Sequence, residues 1–281
     1  MKVTRPAEPA KDFSTEHYRE IVAAIRQTHQ TLCFRDLHRL GRDVFSIPRF
    51  VVMRHDVEFS IPAALRMAEI EAEQGVQSTF SLLQTSDYNP FEEDEAVQIR
   101  RILELGHDLG LHYDAALFER LQLDPLATAK AQIDLFETFF QTRIHAMSSH
   151  MPMRSGKTFS IPGVIDTYDP MYLTEMKYIS DSTQSWREGV VTENLAKYNH
   201  IHLLTHEYIW HPGSWDWSAL LFVEVQDKFQ RAWKRAENFI NMYREGLQMR
   251  AEKDRLFRER YMATRTEAER VSGEGARGDA S

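Results

Sequence analysis

Short apolar runs that end in charged residues recur along this chain, with amphipathic helical segments between them. The runs at 50–54, 77–83, 108–112, 143–149, 177–180 and 200–205 have the length and content of buried strands. Segments such as 60–75 and 126–141 place apolar residues at helical spacing, and Ser14 is a good N-cap for a helix before the first strand. Repeated strand–helix alternation predicts a mainly parallel sheet covered by helices, with its functional edge at the carboxyl ends of the strands.

The C-terminal part of the chain follows a different pattern. From Ser218 onwards, apolar residues recur at helical spacing and form one stripe, made of Phe222, Val225, Phe229, Ala232, Ala236, Ile240 and Tyr243. This stripe predicts one long helix that packs on the sheet domain or on a partner chain. Beyond Leu247 the helix becomes highly charged. A homodimer formed through the helix is an arrangement that the sequence leaves open.

The patterns divide the chain into four parts. Residues 1–12 are rich in proline and charge and are expected to be flexible, whereas 13–247 are expected to form one α/β domain that includes its packed terminal helix. Residues 248–271 are predicted to be a charged helical extension. The glycine-rich residues 272–281 are predicted to be a disordered tail.

Composition and charge exclude several classes of protein. With 281 residues, 42% of them hydrophobic, the chain can fill one sizeable core. A net charge of −8 argues against nucleic-acid binding, and a single cysteine, Cys33, excludes an internal disulfide and a cysteine-based zinc cluster. No apolar run approaches the roughly 18 residues of a membrane span, and the N-terminus has no apolar signal-peptide core. We therefore expect a cytoplasmic protein.

Titratable side chains lie directly after the apolar runs. They are Arg54, Asp56, Glu58, His112, Asp114, His150, Asp181 and His206. Because the carboxyl ends of parallel strands share one edge, we expect these groups to gather around one pocket. Burying an unpaired ionisable group costs on the order of several kcal/mol, and carboxylate with imidazole is a ligand combination of zinc and similar divalent cations. His55 and His107 alternate away from this pocket and are expected to form hydrogen bonds or to pack in the core.

Five segments, in a fixed order, carry a resemblance to a known family. The segments are 54–58 (Arg-His-Asp-Val-Glu), 106–112 (Gly-His-Asp-Leu-Gly-Leu-His), 148–150 (Ser-Ser-His), 181–187 (Asp-Ser-Thr-Gln-Ser-Trp-Arg) and 203–206 (Leu-Leu-Thr-His). Over residues 50–215 the chain resembles the polysaccharide deacetylase superfamily, with the NodB-homology fold of carbohydrate esterase 4-like proteins. More narrowly, it looks like the branch encoded with bacterial surface-glycan biosynthesis, such as O-antigen assembly. The resemblance implies a distorted (β/α)-barrel of mainly parallel strands, followed here by the long C-terminal helix.

The resemblance also implies an activity, the metal-dependent hydrolysis of an N-acyl group, in particular N-acetyl, on a sugar or glycan. Asp56 would be the general base, His206 the general acid, and Arg54 the residue that orients Asp56. Four further residues are candidates for substrate binding: Asp181, Trp186, Arg187 and Trp210. The aromatic segment after His206 is equally consistent with a wall for sugar rings and with a loop anchored in the core.

The metal motif departs from the pattern of the family. Val57 follows Asp56 where the family has a second aspartate, and Ala116 stands where the family has a second metal-binding histidine. Strand geometry suggests a replacement set: Glu58 or Asp56, with His112 and His150, and Asp114 in reserve. We take Glu58, His112 and His150 as the predicted ligands of a divalent metal, with zinc as the metal that the resemblance favours.

The altered ligands leave three functions open. The leading hypothesis is a metal-dependent hydrolase that cleaves the amide C–N bond of an N-acylated sugar during surface-polysaccharide assembly. A second hypothesis is a catalytically inactive protein of the same fold that binds or assembles glycans. The third is an amidohydrolase that works without a metal.

Overall fold

A sheet of parallel strands forms the centre of the fold in this computed structural model, which describes residues 11–155, 159–213 and 215–275. Within these residues the strands are β1 (Gln30–Leu32), β2 (Phe50–Val57), β3 (Thr79–Leu83), β4 (Asp108–Tyr113), β5 (Ala146–Ser149), β6 (Ile165–Asp166), β7 (Lys177–Ser180) and β8 (His200–His206). Their order across the sheet is β6-β5-β4-β3-β2-β8-β7, and β1 pairs with the first half of β2. All of these pairings are parallel. The edge strands β6 and β7 are not paired in the described part of the chain, so the barrel is incompletely closed.

Helices connect the strands, and the starts of two of them were expected from local chemistry. The helices are α1 (Thr15–Thr28), α2 (Phe34–Leu40), α3 (Ile61–Glu73), α4 (Glu93–Glu104), α5 (Ala115–Arg120), α6 (Pro125–Phe140), α7 (Pro152–Ser155), α8 (Val191–Leu195) and α9 (Trp217–Gly275). Ser14 accepts a hydrogen bond from the backbone N–H of His17 at 3.1 Å, and Ser60 accepts one from that of Ala63 at 3.3 Å. Each serine thereby satisfies an N–H group that a helix start leaves unpaired.

Burial on both faces of the sheet explains why the strands appear as continuous apolar runs. All residues of β2, β3 and β4 are buried. Apolar side chains of these strands and of α1, α3, α4 and α6 form the main core. This is the pattern of a parallel sheet covered by helices. The predicted fold class, an α/β distorted barrel with a long C-terminal helix, is confirmed.

A buried polar network occupies the face of β2 that is turned away from Asp56. Nε2 of His55 lies 2.8 Å from the carboxylate of Glu71, and Nδ1 of His107 lies 3.5 Å from it. The hydroxyl of Ser78 donates to the same carboxylate at 2.5 Å. Burial would raise the pKa of Glu71, but the charge of His55 outweighs it and lowers the pKa to about 2. His55 and His107 therefore anchor the sheet from behind, on the face where alternation predicts them.

The chain divides into two compact units, residues 1–224 and 225–281. The long helix α9 continues to Gly275, so residues 272–275, predicted to belong to a disordered tail, are helical. The side chains of its predicted apolar stripe are exposed. Among the helices described, none has a long enough apolar stretch to cross a bilayer. The domain limits 13–247 and 248–271 stay predictions; residues 1–10 and 276–281 lie outside the described residues.

Candidate active site

The carboxyl ends of four strands meet at one edge of the sheet and position the site. Asp56 on β2 is the register partner of His206 on β8, and His112 on β4 is the register partner of Ser148 on β5. Glu58 follows the end of β2 directly. Because successive residues of a strand point to opposite faces, this register places the predicted site residues on one side of the sheet.

Glu58, His112 and His150 form a cluster that could hold a metal ion. Oε1 of Glu58 lies 3.2 Å from Nε2 of His112 and 2.8 Å from Nδ1 of His150, and the two ring nitrogens are 3.3 Å apart. One ligand atom of each residue lies within 4.8 Å of the other two. The structure thus brings together the three residues that we predicted as ligands. Asp114, the reserve ligand, instead caps α5 by accepting a hydrogen bond from Leu117 at 3.0 Å.

The donor set of this cluster fits zinc or a similar divalent cation. One carboxylate with two imidazoles is a ligand set of catalytic zinc sites, which keep a further position open. Nδ1 of His112 lies 2.7 Å from the hydroxyl and 3.2 Å from the carbonyl of Ser148, so Nε2 is the ring nitrogen left for a cation. Burial would raise the pKa of Glu58, but the hydrogen bonds from His112 and His150 lower it below its ordinary value. The carboxyl group is therefore ionised, as a ligand must be.

Asp56 lies beside the cluster and is fixed by its own contacts. The hydroxyl of Ser148 donates to Oδ1 of Asp56 at 3.0 Å, and Nη2 of Arg54 donates to Oδ2 at 3.2 Å. Burial would raise the pKa of Asp56, but the charge of Arg54, with those of His112 and His206, lowers it. Asp56 is therefore ionised at neutral pH. The contact by which Arg54 was expected to orient Asp56 is present, and Ser148 links Asp56 to His112.

His206 is held from behind by Asp181. Nδ1 of His206 lies 2.7 Å from Oδ1 of Asp181, and the backbone N–H of His206 and the indole N–H of Trp210 both donate to Oδ2 at 3.0 Å. Burial would lower the pKa of His206, but the charge and the hydrogen bond of Asp181 raise it to about 9. At neutral pH, His206 is therefore protonated, which is the state that a general acid requires.

A cavity of about 510 Å³ opens onto these residues. Its volume lies within the range of roughly 300–1,000 Å³ that is usual for small-molecule sites. Asp56, Glu58, His112 and His206 line it. The rest of its lining consists of Ser149, Met151, Pro152, Met153, Arg154, Tyr168, Tyr178, Ser182, Thr183, Arg187, Leu204 and Tyr208.

The four residues predicted to bind substrate are in different surroundings. Arg187 lines the cavity, whereas Asp181, Trp186 and Trp210 are buried and do not appear in its lining. The rings of Trp186 and Trp210 lie 5.8 Å and 5.2 Å from that of Phe13. The geometry thus agrees with the second interpretation of the aromatic segment, a loop anchored in the core, and gives Asp181 the role of holding His206.

Glu207 is a residue that the sequence analysis missed. It directly follows His206 and is fully buried, and its carboxylate accepts hydrogen bonds from the backbone N–H groups of Glu58, Phe59 and Ser60 at 2.6–3.1 Å. Burial raises the pKa of Glu207 to about 7. These bonds tie the end of β8 to the turn that presents Glu58. The one signal in the sequence is an acidic residue placed directly after a strand-end histidine.

Replacing Glu207 with glutamine is expected to weaken zinc binding by about tenfold. Glutamine keeps the size of the side chain but not its negative charge, so the turn that carries Glu58 is held less firmly, and loss of an outer partner of a metal ligand costs roughly 10–100-fold in affinity. Competition with a chromophoric chelator measures the affinity. Glu137→Gln is the matched control, because Glu137 also accepts a backbone N–H, that of Ile144 at 3.0 Å, away from the cluster. Equal zinc affinities in the two variants would contradict this role of Glu207.

Comparison with known proteins finds similarity to solved structures only. No protein-family profile and no curated protein matches the chain. A chitin deacetylase from Colletotrichum lindemuthianum is similar over 63% of this chain and 81% of that chain, with 15% identity and a TM-score of 0.37. BA3943 from Bacillus anthracis, a CE4 family pseudoenzyme, is similar over 64% of each chain, with 13% identity and a TM-score of 0.36. A BA3943 mutant with restored enzymatic activity is similar over 66% of each chain, with 13% identity and a TM-score of 0.35. The chain thus spans slightly less than two thirds of the length of either BA3943 structure.

Proposed function

We propose that this chain hydrolyses an N-acyl group, in particular N-acetyl, on a sugar or glycan, with a divalent cation held by Glu58, His112 and His150. One observation carries the proposal: an ionised Asp56, the ligands Glu58 and His112, and a protonated His206 line one cavity. The resemblance of the five segments to polysaccharide deacetylases supports the same reaction. It also motivates the narrower proposal of a cytoplasmic role in surface-polysaccharide assembly, such as that of O-antigen, with zinc as the metal.

The side chains divide the reaction between them. Asp56 accepts a proton from the attacking water as the water oxygen bonds to the acyl carbon. His206 donates a proton to the sugar nitrogen as the C–N bond breaks, so the products are a free amine and a carboxylate. The proton taken by Asp56 returns to His206 through solvent and restores both groups. The chemistry supplied by a divalent cation at the cluster is polarisation of the acyl carbonyl and a lower pKa for water, which suits a base as weak as Asp56.

Arg54 keeps Asp56 in place for this role. It is buried, donates to the hydroxyl of Thr167, and lies 5.7 Å from the centre of the Tyr168 ring. These contacts leave the guanidinium only one arrangement toward Asp56. A fixed carboxylate beside the cavity is what general-base catalysis requires, since proton transfer depends on geometry before pKa.

The proposal is tested on protein purified without a polyhistidine tag, by metal analysis and by acetate release from N-acetylated sugars. We expect stoichiometric zinc, turnover that is lost on chelation, and a fall in kcat of about 10²–10⁴-fold in Asp56→Asn, with zinc retained. Asp94→Asn, an exposed position on α4, serves as the control. Turnover that survives chelation would support the metal-independent hydrolase instead. Sugar binding without acetate release from any substrate would support the inactive glycan-binding protein.

A further inference from the structure

Two arginines line the outer part of the active-site cavity. Arg154 and Arg187 are exposed, whereas Asp56 and His112 in the same cavity are each 2% exposed. Arg154 belongs to α7, which follows β5, and Arg187 belongs to the segment between β7 and α8. Two segments far apart in the chain thus each bring a guanidinium to one space.

The fold does not use either of these guanidinium groups. Within the residues that the structure describes, neither Arg154 nor Arg187 takes part in a hydrogen bond or an ion pair. Arg54, in contrast, is buried and ion-paired with Asp56 at 3.1 Å. An unpaired guanidinium offers N–H donors in a planar fork that matches the oxygens of phosphate and carboxylate groups.

The charges of the cavity favour a negative group beside these arginines. Outside the catalytic residues, the charged side chains that line the described cavity are Arg154 and Arg187, and none is acidic. Met151, Pro152 and Met153 provide an apolar surface next to Arg154. The whole chain carries a net charge of −8, so an anionic substrate is repelled on average and needs positive charge at the cavity. A neutral sugar would gain little from the two cations.

We propose that Arg154 and Arg187 bind an anionic group, a phosphate or a carboxylate, carried by the same sugar whose N-acyl group is hydrolysed. This inference rests on the proposed function and narrows it. The substrate class is then an acidic or phosphorylated N-acyl sugar, including sugars linked through a diphosphate.

The test compares sugars that differ in their anionic group: N-acetylglucosamine, N-acetylglucosamine 1-phosphate, UDP-N-acetylglucosamine and N-acetylmuramic acid. Each is given to the zinc-loaded full chain and to Arg154→Gln, Arg187→Gln and the double variant. Arg100→Gln, on an exposed face of α4, is the control with the same loss of charge. We expect the KM, and the Kd from calorimetry, to be at least about tenfold lower for an anionic sugar than for the neutral one, since a hydrogen bond to a charged group has this size. The difference should disappear in the double variant and persist in Arg100→Gln.

The outcomes separate this inference from the proposed hydrolysis. Binding of an anionic sugar that depends on the arginines, without acetate release from any sugar, would support the arginine site and contradict the hydrolysis. Acetate release with equal KM for neutral and anionic sugars in wild type and variants would do the reverse. Affinity for the sugar phosphate that survives in the double variant but vanishes with EDTA would assign the anion to the cation cluster and overturn the inference. The phosphate and carboxylate sugars identify which anion is bound.

Discussion

Glu58→Gln is expected to remove metal binding while leaving the fold intact. Oε1 of Glu58 is within 3.2 Å of the nearest ring nitrogens of both His112 and His150, so this carboxylate is the centre of the cluster and its negative charge balances the cation. Glutamine has the same shape but no charge. We expect zinc affinity to fall by more than the roughly 100-fold that loss of an outer partner can cost. Metal analysis after dialysis, with competition titration, measures the loss.

The control for this variant is Asp114→Asn. Asp114 follows the same strand as His112 and was the reserve ligand of the sequence analysis, but its carboxylate caps α5 through Leu117. Asparagine is also a good N-cap, so this variant changes a nearby charge without disturbing the helix. Zinc should be retained in Asp114→Asn. Full zinc occupancy in Glu58→Gln, or loss of zinc in Asp114→Asn, would show that the cluster is not the metal site.

The strand β2 shows how far apolar patterning can predict this fold. The sequence predicts a strand at 50–54, whereas β2 continues to Val57. Its extension contains Arg54, His55 and Asp56, which are buried because each has a charged partner. A pattern of apolar residues ends where such pairs begin, although the backbone ladder does not. The strands β1 and β6, of 3 and 2 residues, were missed because they are too short to show a period.

The site was predictable to the extent that strand ends determine it. Parallel strands place their carboxyl ends at one edge, so the approach of Glu58, His112 and His150 follows from their positions in the sequence. The contacts that organise them could not be derived in this way. Whether Ser148 bridges Asp56 and His112 depends on rotamers and register, neither of which has a period in the sequence.

The role of Asp181 illustrates the same limit. A carboxylate at a strand end suggests contact with substrate, but Asp181 is fully buried behind His206. The sequence places it at the correct edge of the sheet without showing its depth. Depth separates a residue that touches substrate from one that sets the charge of a neighbour, and here it leads to a specific pH dependence.

Asp181→Asn is expected to move the basic limb of the pH–kcat profile to lower pH. The carboxylate of Asp181 is the main reason why the pKa of His206 is raised to about 9, against burial, which lowers it. A raised pKa means that the proton-donating form is present below about pH 9 and is lost above it. Without the charge of Asp181, burial dominates and His206 loses its proton at lower pH. We expect a shift of about one pH unit or more and, at pH 8, a fall in kcat of at least about tenfold, since one pKa unit is a tenfold change in proton affinity. Initial rates of acetate release between pH 6 and 10, with zinc content checked in each variant, measure both effects.

Asp108→Asn is a matched control, because Asp108 is also a buried carboxylate paired with a histidine, His145 at 3.3 Å, but lies at the amino end of β4. Its substitution removes the same charge at the opposite edge of the sheet, where it cannot act on His206 directly. The basic limb should therefore stay in place in Asp108→Asn, even if the protein becomes less stable. If Asp181→Asn lowered kcat equally at every pH, with zinc retained, Asp181 would serve to position His206 rather than to hold its proton. The acid role would be refuted if Asp181→Asn kept the full wild-type profile, because a histidine whose protonation does not matter to the rate donates no proton in the rate-limiting step.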